Sequence, residues 1–433
     1  MRAGIARHKI TPPVGVDLTG YVGRAGSSTG VHDDLYAAAL VLDDGAVRVG
    51  VIAVDIIGVN MEQDAALRRE ISTATGIAPQ NLMIACSHTH SGPAVGVLRQ
   101  CGTPDEAAVR RLWSQIVAVA KEAAAELVDA RLSHTHAESE LAWNRREWVI
   151  ERKVQQSPTS GVVTDPTSEA LLIEMDGRQP VMIFNYACHG VVMGGENLSI
   201  SADWIGAARN ALESSGKVGT AMFLQGCCGN INPRWRGTFE EVKHAGESVA
   251  QPLLAALASA KPIDNPKIKV AWKDVDLPFM GLPPEEELEQ EISFRRGELE
   301  KAQAEGAGVV QLQVHRAMLG WAEDALKMAN DSGGPKAVKV PLQAISVGGL
   351  AFATLPGEAF CEYGLAFRKM TSAEVMPVGY ANGNIGYIPT AEAYKEGGYE
   401  VDNAIRYYAE KMIGPESEGI IMDAMKELLA EVG

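Results

Sequence analysis

The 433-residue chain is predicted to be α/β, with layered mixed sheets flanked by helices, and three observations predict it. Apolar runs of strand length alternate with longer segments whose apolar residues recur at three- and four-residue steps. Five of the apolar runs stop at loops carrying His, Asn, Glu or Tyr, as expected where helices cover the sheet faces and the loops at strand carboxyl ends carry chemistry. Those polar residues range from His88 to Tyr387, so one large domain spanning 1–433 is preferred over two or three average ones.

In chain order, helices are expected at 64–75 and 106–128, on either side of a short buried strand at 81–86. That strand runs into Ser87-His88-Thr89-His90-Ser91-Gly92-Pro93. Residues two apart on a strand face the same way, so His88 and His90 should point into one cleft; a single His-x-His remains a weak motif and a solvent-facing turn its plain alternative. A second strand at 180–188 meets His189-Gly190, a helix fits 207–214, and a strand at 218–224 breaks at Gln225-Gly226-Cys227-Cys228-Gly229-Asn230-Ile231-Asn232-Pro233. A helix at 239–259 follows. Residues 284–332 form a charged helical hairpin interrupted by Gly306-Ala307-Gly308; it reads as a cover for the cleft, a contact in a homo-oligomer, or a solvated insertion. The strand at 350–355 reaches Pro356-Gly357-Glu358, which places Glu358 at a helix start, where a carboxylate is favoured. The last strand opens at Ala381 into a loop holding Tyr387, with Tyr394 and Tyr399 beyond it, and a helix closes the chain at 416–432.

Taken in order, SHTHSGP, ACHG, GNINP, LPGE, GYIPT and EAYKEGGYE resemble the neutral ceramidase family, with further similarity at Gly4-Ile5-Ala6, Gly30-Val31-His32 and Asn144-Arg145-Arg146. The resemblance implies a catalytic zinc held by His88, His189, Glu358 and Tyr387. It also implies that His90, Arg145 and Tyr399 line the substrate carbonyl and its developing oxyanion. One departure matters: the family carries a serine where this loop has Asn232, and an aspartate where it has Asn230. An amide side chain cannot be acylated, which closes a covalent serine route at this position. Attack by water activated at the zinc remains, with Asn232 donating a hydrogen bond to substrate or oxyanion. Secreted members add a carboxyl-terminal β-sandwich, and the expectation here is the catalytic part alone.

The donor types suit that chemistry. Two neutral imidazoles and a carboxylate are a familiar catalytic zinc set. Tyr387 is the weakest member, since a phenol must lose its proton or bind weakly. His90, next to His88, suits proton exchange, and Arg145 a fixed positive charge; a plain surface arginine fits the charged stretch Arg145-Arg146-Glu147 equally well. Cys227 and Cys228 read as small buried residues beside a glycine turn.

Composition narrows the function class. Acidic residues outnumber basic ones, 55 to 39, for a net charge of −16. No Lys/Arg cluster interrupts that excess, which argues against nucleic acid or an anionic membrane as partner. No apolar run approaches a membrane span, and no stable membrane insertion is expected. The amino terminus lacks a signal-peptide core, and six irregularly spaced cysteines do not suggest a disulfide framework, so a cytoplasmic protein is expected. The leading expectation is a zinc-dependent hydrolase cleaving an N-acyl amide of a soluble small molecule. Its alternatives are lactam, ester or ceramide-type hydrolysis on the same fold, and a catalytically silent metal-binding homologue. A thiol hydrolase using Cys228 with His189 is a third reading.

Overall fold

The computed structural model describes every residue except 149–153, 157–162, 332 and 409–410, and the side chains of 147–148 and 154–156 fall outside it as well. Ser332, taken as part of the hairpin's end, therefore lies outside the described residues. Four layers build the molecule: helices, a nine-stranded sheet, a four-stranded sheet, and a final helix.

The larger sheet runs in the order Thr220–Gln225, Val181–Tyr186, Thr167–Met175, Val128–Glu138, Arg2–Lys9, Tyr36–Asp43, Arg48–Val54, Leu82–Cys86, with the short Lys261–Pro262 beside Val128–Glu138. Its centre is antiparallel and only the outermost pair at each end is parallel. The smaller sheet joins Ile268–Pro278, Ala337–Val347, Leu350–Thr354 and Glu374–Val378, and its last pair is parallel too. Every one of these parallel pairs sits under a loop of the site. The two sheets face each other across an apolar core in which Leu40, Val51, Met83, Ile183 and Met222 of one meet Ile345, Phe352 and Met376 of the other. Strands of the larger sheet are thus buried on both faces, which is why they read as continuous apolar runs rather than alternating ones.

Helices Met61–Thr75 and Glu106–Ala125 cover one half of the outer face, Asp203–Ser214 and Phe239–Ala256 the other, and Ser417–Val432 packs on the smaller sheet. Capping explains their starts. Asn60 accepts from the Gln63 backbone while the Gln63 side chain returns to Asn60, and Thr238 does the same with Glu241, each box satisfying orphan amides of a first turn. Two expected helices begin earlier than their apolar periodicity, at Met61 and Asp203, and the one expected to reach residue 128 stops at Ala125, where a strand follows almost at once. The hairpin is present as Glu285–Ala304 and Val309–Asn330. No helix among the described residues is long and apolar enough to cross a membrane.

Candidate active site

Five strand ends converge because the sheets' parallel edges meet there. Cys86 N–H donates to Tyr380 O (3.1 Å), Gly379 N–H to Gln225 O (2.9 Å) and Asn382 N–H to Ile84 O (2.8 Å), and Thr89 pairs with Gly190. Glycine permits the close approach: a Cβ on Gly229 would lie 2.2 Å from Glu358 O, and one on Gly20, at φ 93°, 2.5 Å from the His90 ring.

His88 and His90 do enter one cleft, though not by strand alternation. The strand ends at Cys86, and His88 turns through φ 60°, a left-handed conformation uncommon outside glycine that concentrates at functional sites. Glu358 also differs from expectation. It lies in the two-residue strand Glu358–Ala359, paired with Tyr387–Ile388, and the helix begins only at Cys361. The carboxylate is placed by strand pairing, not by a helix dipole.

Backbone carbonyls fix the three imidazoles. His88 Nδ1 faces Ile57 O (2.6 Å), His90 Nδ1 faces Gly20 O (3.0 Å), and His189 Nδ1 faces Cys228 O (2.7 Å) and Ile231 O (3.0 Å). A carbonyl only accepts, so each proton sits on Nδ1 and each Nε2 offers a lone pair. The Nε2 atoms of His88 and His90 are then 3.1 Å apart, and Glu358 Oε2 is 3.0 Å from His189 Nε2 and 3.4 Å from His88 Nε2. These are acceptors facing acceptors. Loss of hydration pushes His189 down to about 4 and, with the adjoining His88 and His189, puts His90 well below its ordinary value. Burial acts to raise Glu358, and protonated forms of His88 and His189, where present, hold its carboxyl well below the usual range.

Acceptors at such spacing repel unless a cation lies among them. Zinc–nitrogen bonds of about 2.0–2.1 Å at tetrahedral angles separate neighbouring donors by about 3.3–3.4 Å, close to the spacings found. The ligand atoms of His88, His90 and His189 all lie within 4.8 Å of one another. The donor set fits a metal ion. The carbonyls on Nδ1 and the phenols of Tyr380 (3.2 Å to Glu358 Oε2) and Tyr408 (to Glu358 Oε1) orient these donors from behind, as outer partners of metal ligands do.

A cleft of about 400 Å³ opens over the cluster, lined by every residue singled out for the site: His88, His90, Arg145, His189, Asn232, Glu358, Tyr387 and Tyr399. Arg145 is 7 % exposed, which overturns its reading as a surface residue. It donates to Glu400 (2.8 Å), Tyr387 OH (2.8 Å) and Asn232 Oδ1 (3.3 Å). Burial drives the Tyr387 phenol well above its ordinary value, with Arg145 opposing. Asn230 points elsewhere, accepting from Cys361 N–H and donating to Glu362. Glu400, Tyr380 and Tyr408 were given no role in the sequence reading, although Glu400 is the last residue of the EAYKEGGYE motif.

Cys228 is fully buried against the Tyr380 hydroxyl (3.2 Å), and burial raises its thiol well above the ordinary value. Its carbonyl, not its sulfur, meets His189. A protonated, enclosed thiol is a poor nucleophile, so Cys228→Ala should retain turnover within about twofold and cost roughly 1 kcal/mol of stability, checked by steady-state kinetics and urea melts.

The hairpin braces the rim. Gln313, with its amide nitrogen turned to the loop, donates to Val22 O (2.8 Å), Arg99 pairs with Asp324 (2.6 Å), and Arg406 lies over Trp321. Val22, Leu98 and Tyr407, all of the cleft lining, belong to or adjoin these segments.

A family model described as "Neutral/alkaline non-lysosomal ceramidase, N-terminal" matches residues 1–262. The chain belongs to this ceramidase family. Hydrolysis of an amide bond is the activity that membership supports. His88, His90, Arg145, His189 and Asn232 of this ceramidase-family chain fall inside the matched segment. Glu358 and Tyr387 follow it and are brought in by the fold. Among solved structures, the neutral ceramidase from Pseudomonas aeruginosa is similar over 99% of this chain and 73% of that one, at 19% identity and TM-score 0.73. A structure described as "Ceramidase complexed with C2" is similar over 99% and 74%, at 17% identity and TM-score 0.75. At such identities the likeness is one of fold. Comparison with curated proteins finds no match.

Proposed function

We propose that this ceramidase-family chain is a zinc-dependent hydrolase of an N-acyl amide of a small molecule. The observation that carries the reading is the convergence of three Nε2 lone pairs and a carboxylate oxygen at the floor of the cleft. His88, His189 and Glu358 would hold the metal, with Tyr387 the weakest of four donors. When bound, zinc would supply Lewis acidity and lower the pKa of water toward neutrality.

The chain's own groups account for the rest. His90 is the more exposed of the three histidines and faces the cleft, and with Nδ1 committed to Gly20 O its Nε2 can only accept. It takes a proton from the attacking water as the new C–O bond forms at the amide carbon. The same proton passes to the departing nitrogen as the C–N bond breaks, leaving a carboxylic acid and an amine. Arg145, already charged and buried beside Tyr387 and Asn232, faces the carbonyl oxygen as negative charge develops there. Tyr399 closes that side of the cleft. Asn232 orients the substrate through its amide, no covalent intermediate being open to it. The six buried, unpaired cysteines support a reducing, cytoplasmic setting.

Elemental mass spectrometry of the purified chain is expected to find about one zinc per chain, and graded N-acyl amides should release amine in a chelator-sensitive manner. His90→Ala should keep most of the metal while turnover falls by about 10²–10⁴-fold. Full turnover in that variant on a competent substrate would remove the proton-transfer role. No metal uptake by wild type at neutral pH would sink the reading as a whole.

A further inference from the structure

We propose that the cleft is built for an N-acyl amide that also carries a carboxylate, the chemical class of an N-acyl amino acid, and that Arg236 binds that carboxylate at the rim. The inference rests on the amide-hydrolase reading and narrows its substrate.

Arg236 lies four residues beyond Asn232 on the same loop, exposed to solvent and lining the cleft. Its Nε–H donates to Val191 O (3.2 Å), which fixes the guanidinium plane. A second of its N–H groups bonds the Tyr21 phenol oxygen, whose hydroxyl donates to Met193 O (3.0 Å), and the other N–H groups of the fork are left for a ligand. Glu358 is the one acidic residue among the described lining, and its oxygens are taken up by histidines and tyrosines. Arg236 forms no ion pair among the described residues, in a chain with 16 excess negative charges.

The surrounding charge reinforces this asymmetry. Arg145 is matched by Glu400. Arg24, buried behind the His90 loop, donates to the carbonyls of Thr19 (2.6 Å), His90 (2.9 Å) and Asn197 (3.0 Å) and meets no carboxylate among the described residues. The cleft is therefore a positive spot on an acidic protein, and a bound metal would deepen it. Low-dielectric walls focus such a field toward an anionic ligand, and a planar guanidinium held at one edge is matched to a carboxylate. A substrate presenting its amide to the cleft floor and a carboxylate to Arg236 satisfies both groups at once.

The test is calorimetric titration of the metal-loaded chain with N-octanoylglycine and its uncharged isostere N-octanoylglycinamide, for wild type, Arg236→Gln and Arg236→Lys, with amine release followed in parallel. Wild type should bind the acid about tenfold more tightly than the amide. That preference should vanish in Arg236→Gln and survive in part in Arg236→Lys. Equal binding of the two ligands, a preference that persists in Arg236→Gln because the metal holds the carboxylate, or no binding of either would overturn the proposal. Amine release from both without preference refutes the carboxylate subsite and spares the hydrolase reading. The predicted binding pattern with no amine release refutes the hydrolase reading and upholds the subsite.

Discussion

Replacing Glu358 with alanine is expected to strip the site of metal, from about one ion per chain to a small fraction, and to reduce amide turnover on the order of a thousandfold or more. Among the described residues the carboxylate is the only anion lining the cleft, 3.0 and 3.4 Å from two imidazole nitrogens. Without it three neutral donors would face a divalent cation in a buried site, with no protein charge beside it to offset the loss of hydration. The substitution also leaves the Tyr380 and Tyr408 hydroxyls without their acceptor, at about 1–3 kcal/mol for each buried donor left unsatisfied. Metal content, turnover and urea stability of the variant check the three effects separately. Glu358→Gln refines the result: the amide keeps the volume and one oxygen but not the charge, so its metal content should fall between wild type and Glu358→Ala. A Glu358→Ala variant that retained a full complement of metal would show that the carboxylate is not needed to hold it.

The second large effect is expected at Arg145. Arg145→Met should retain the metal yet lose about 10²–10³-fold in kcat, the scale associated with removing one group aimed at developing oxyanion charge. Three contacts hold this guanidinium, to Glu400, Tyr387 and Asn232, so it is poised before substrate arrives. Removing one partner of a buried pair costs about 3–5 kcal/mol in general. Here Arg146 still donates to Glu400 (2.6 Å), and the stability loss should fall below that range. Glu400→Gln separates positioning from charge. It leaves both arginines in place and should lower kcat far less than Arg145→Met, with the metal content of both unchanged. Equal losses in the two variants would mean that Arg145 acts through the ordering of Tyr387 and Tyr399 rather than on the carbonyl.

Much of this site was legible in the chain because strands buried on both faces are continuous apolar runs, and such runs end abruptly. The stops at His88, His189, Asn232, Glu358 and Tyr387 marked the loops that the cleft brings together. Less legible was anything set by backbone geometry. The pattern around His88 implied strand alternation, but the chain turns left-handed at that residue. Glu358 carried the signature of a helix start, yet pairing with the Tyr387 segment holds it in extended backbone. Arg145 sat in a charged stretch that looked exposed, and burial came from Glu400, some 255 positions away. Asn230, next but one to Asn232, took a structural task that its sequence neighbourhood did not distinguish from its neighbour's.

Local pattern alone thus determined the α/β class, the five strands whose ends carry the site, most of the longer helices, and the residue types available for metal and proton chemistry, since apolar periodicity and capping act over a few residues. Only the tertiary structure decided which nitrogen of each histidine is free, how far apart the acceptors lie, and which charges are matched. Those properties depend on carbonyls of Gly20, Ile57, Cys228 and Ile231, on the phenols of Tyr380 and Tyr408, and on Glu400. These groups come from distant parts of the chain and meet only when parallel edges of two sheets close over one another.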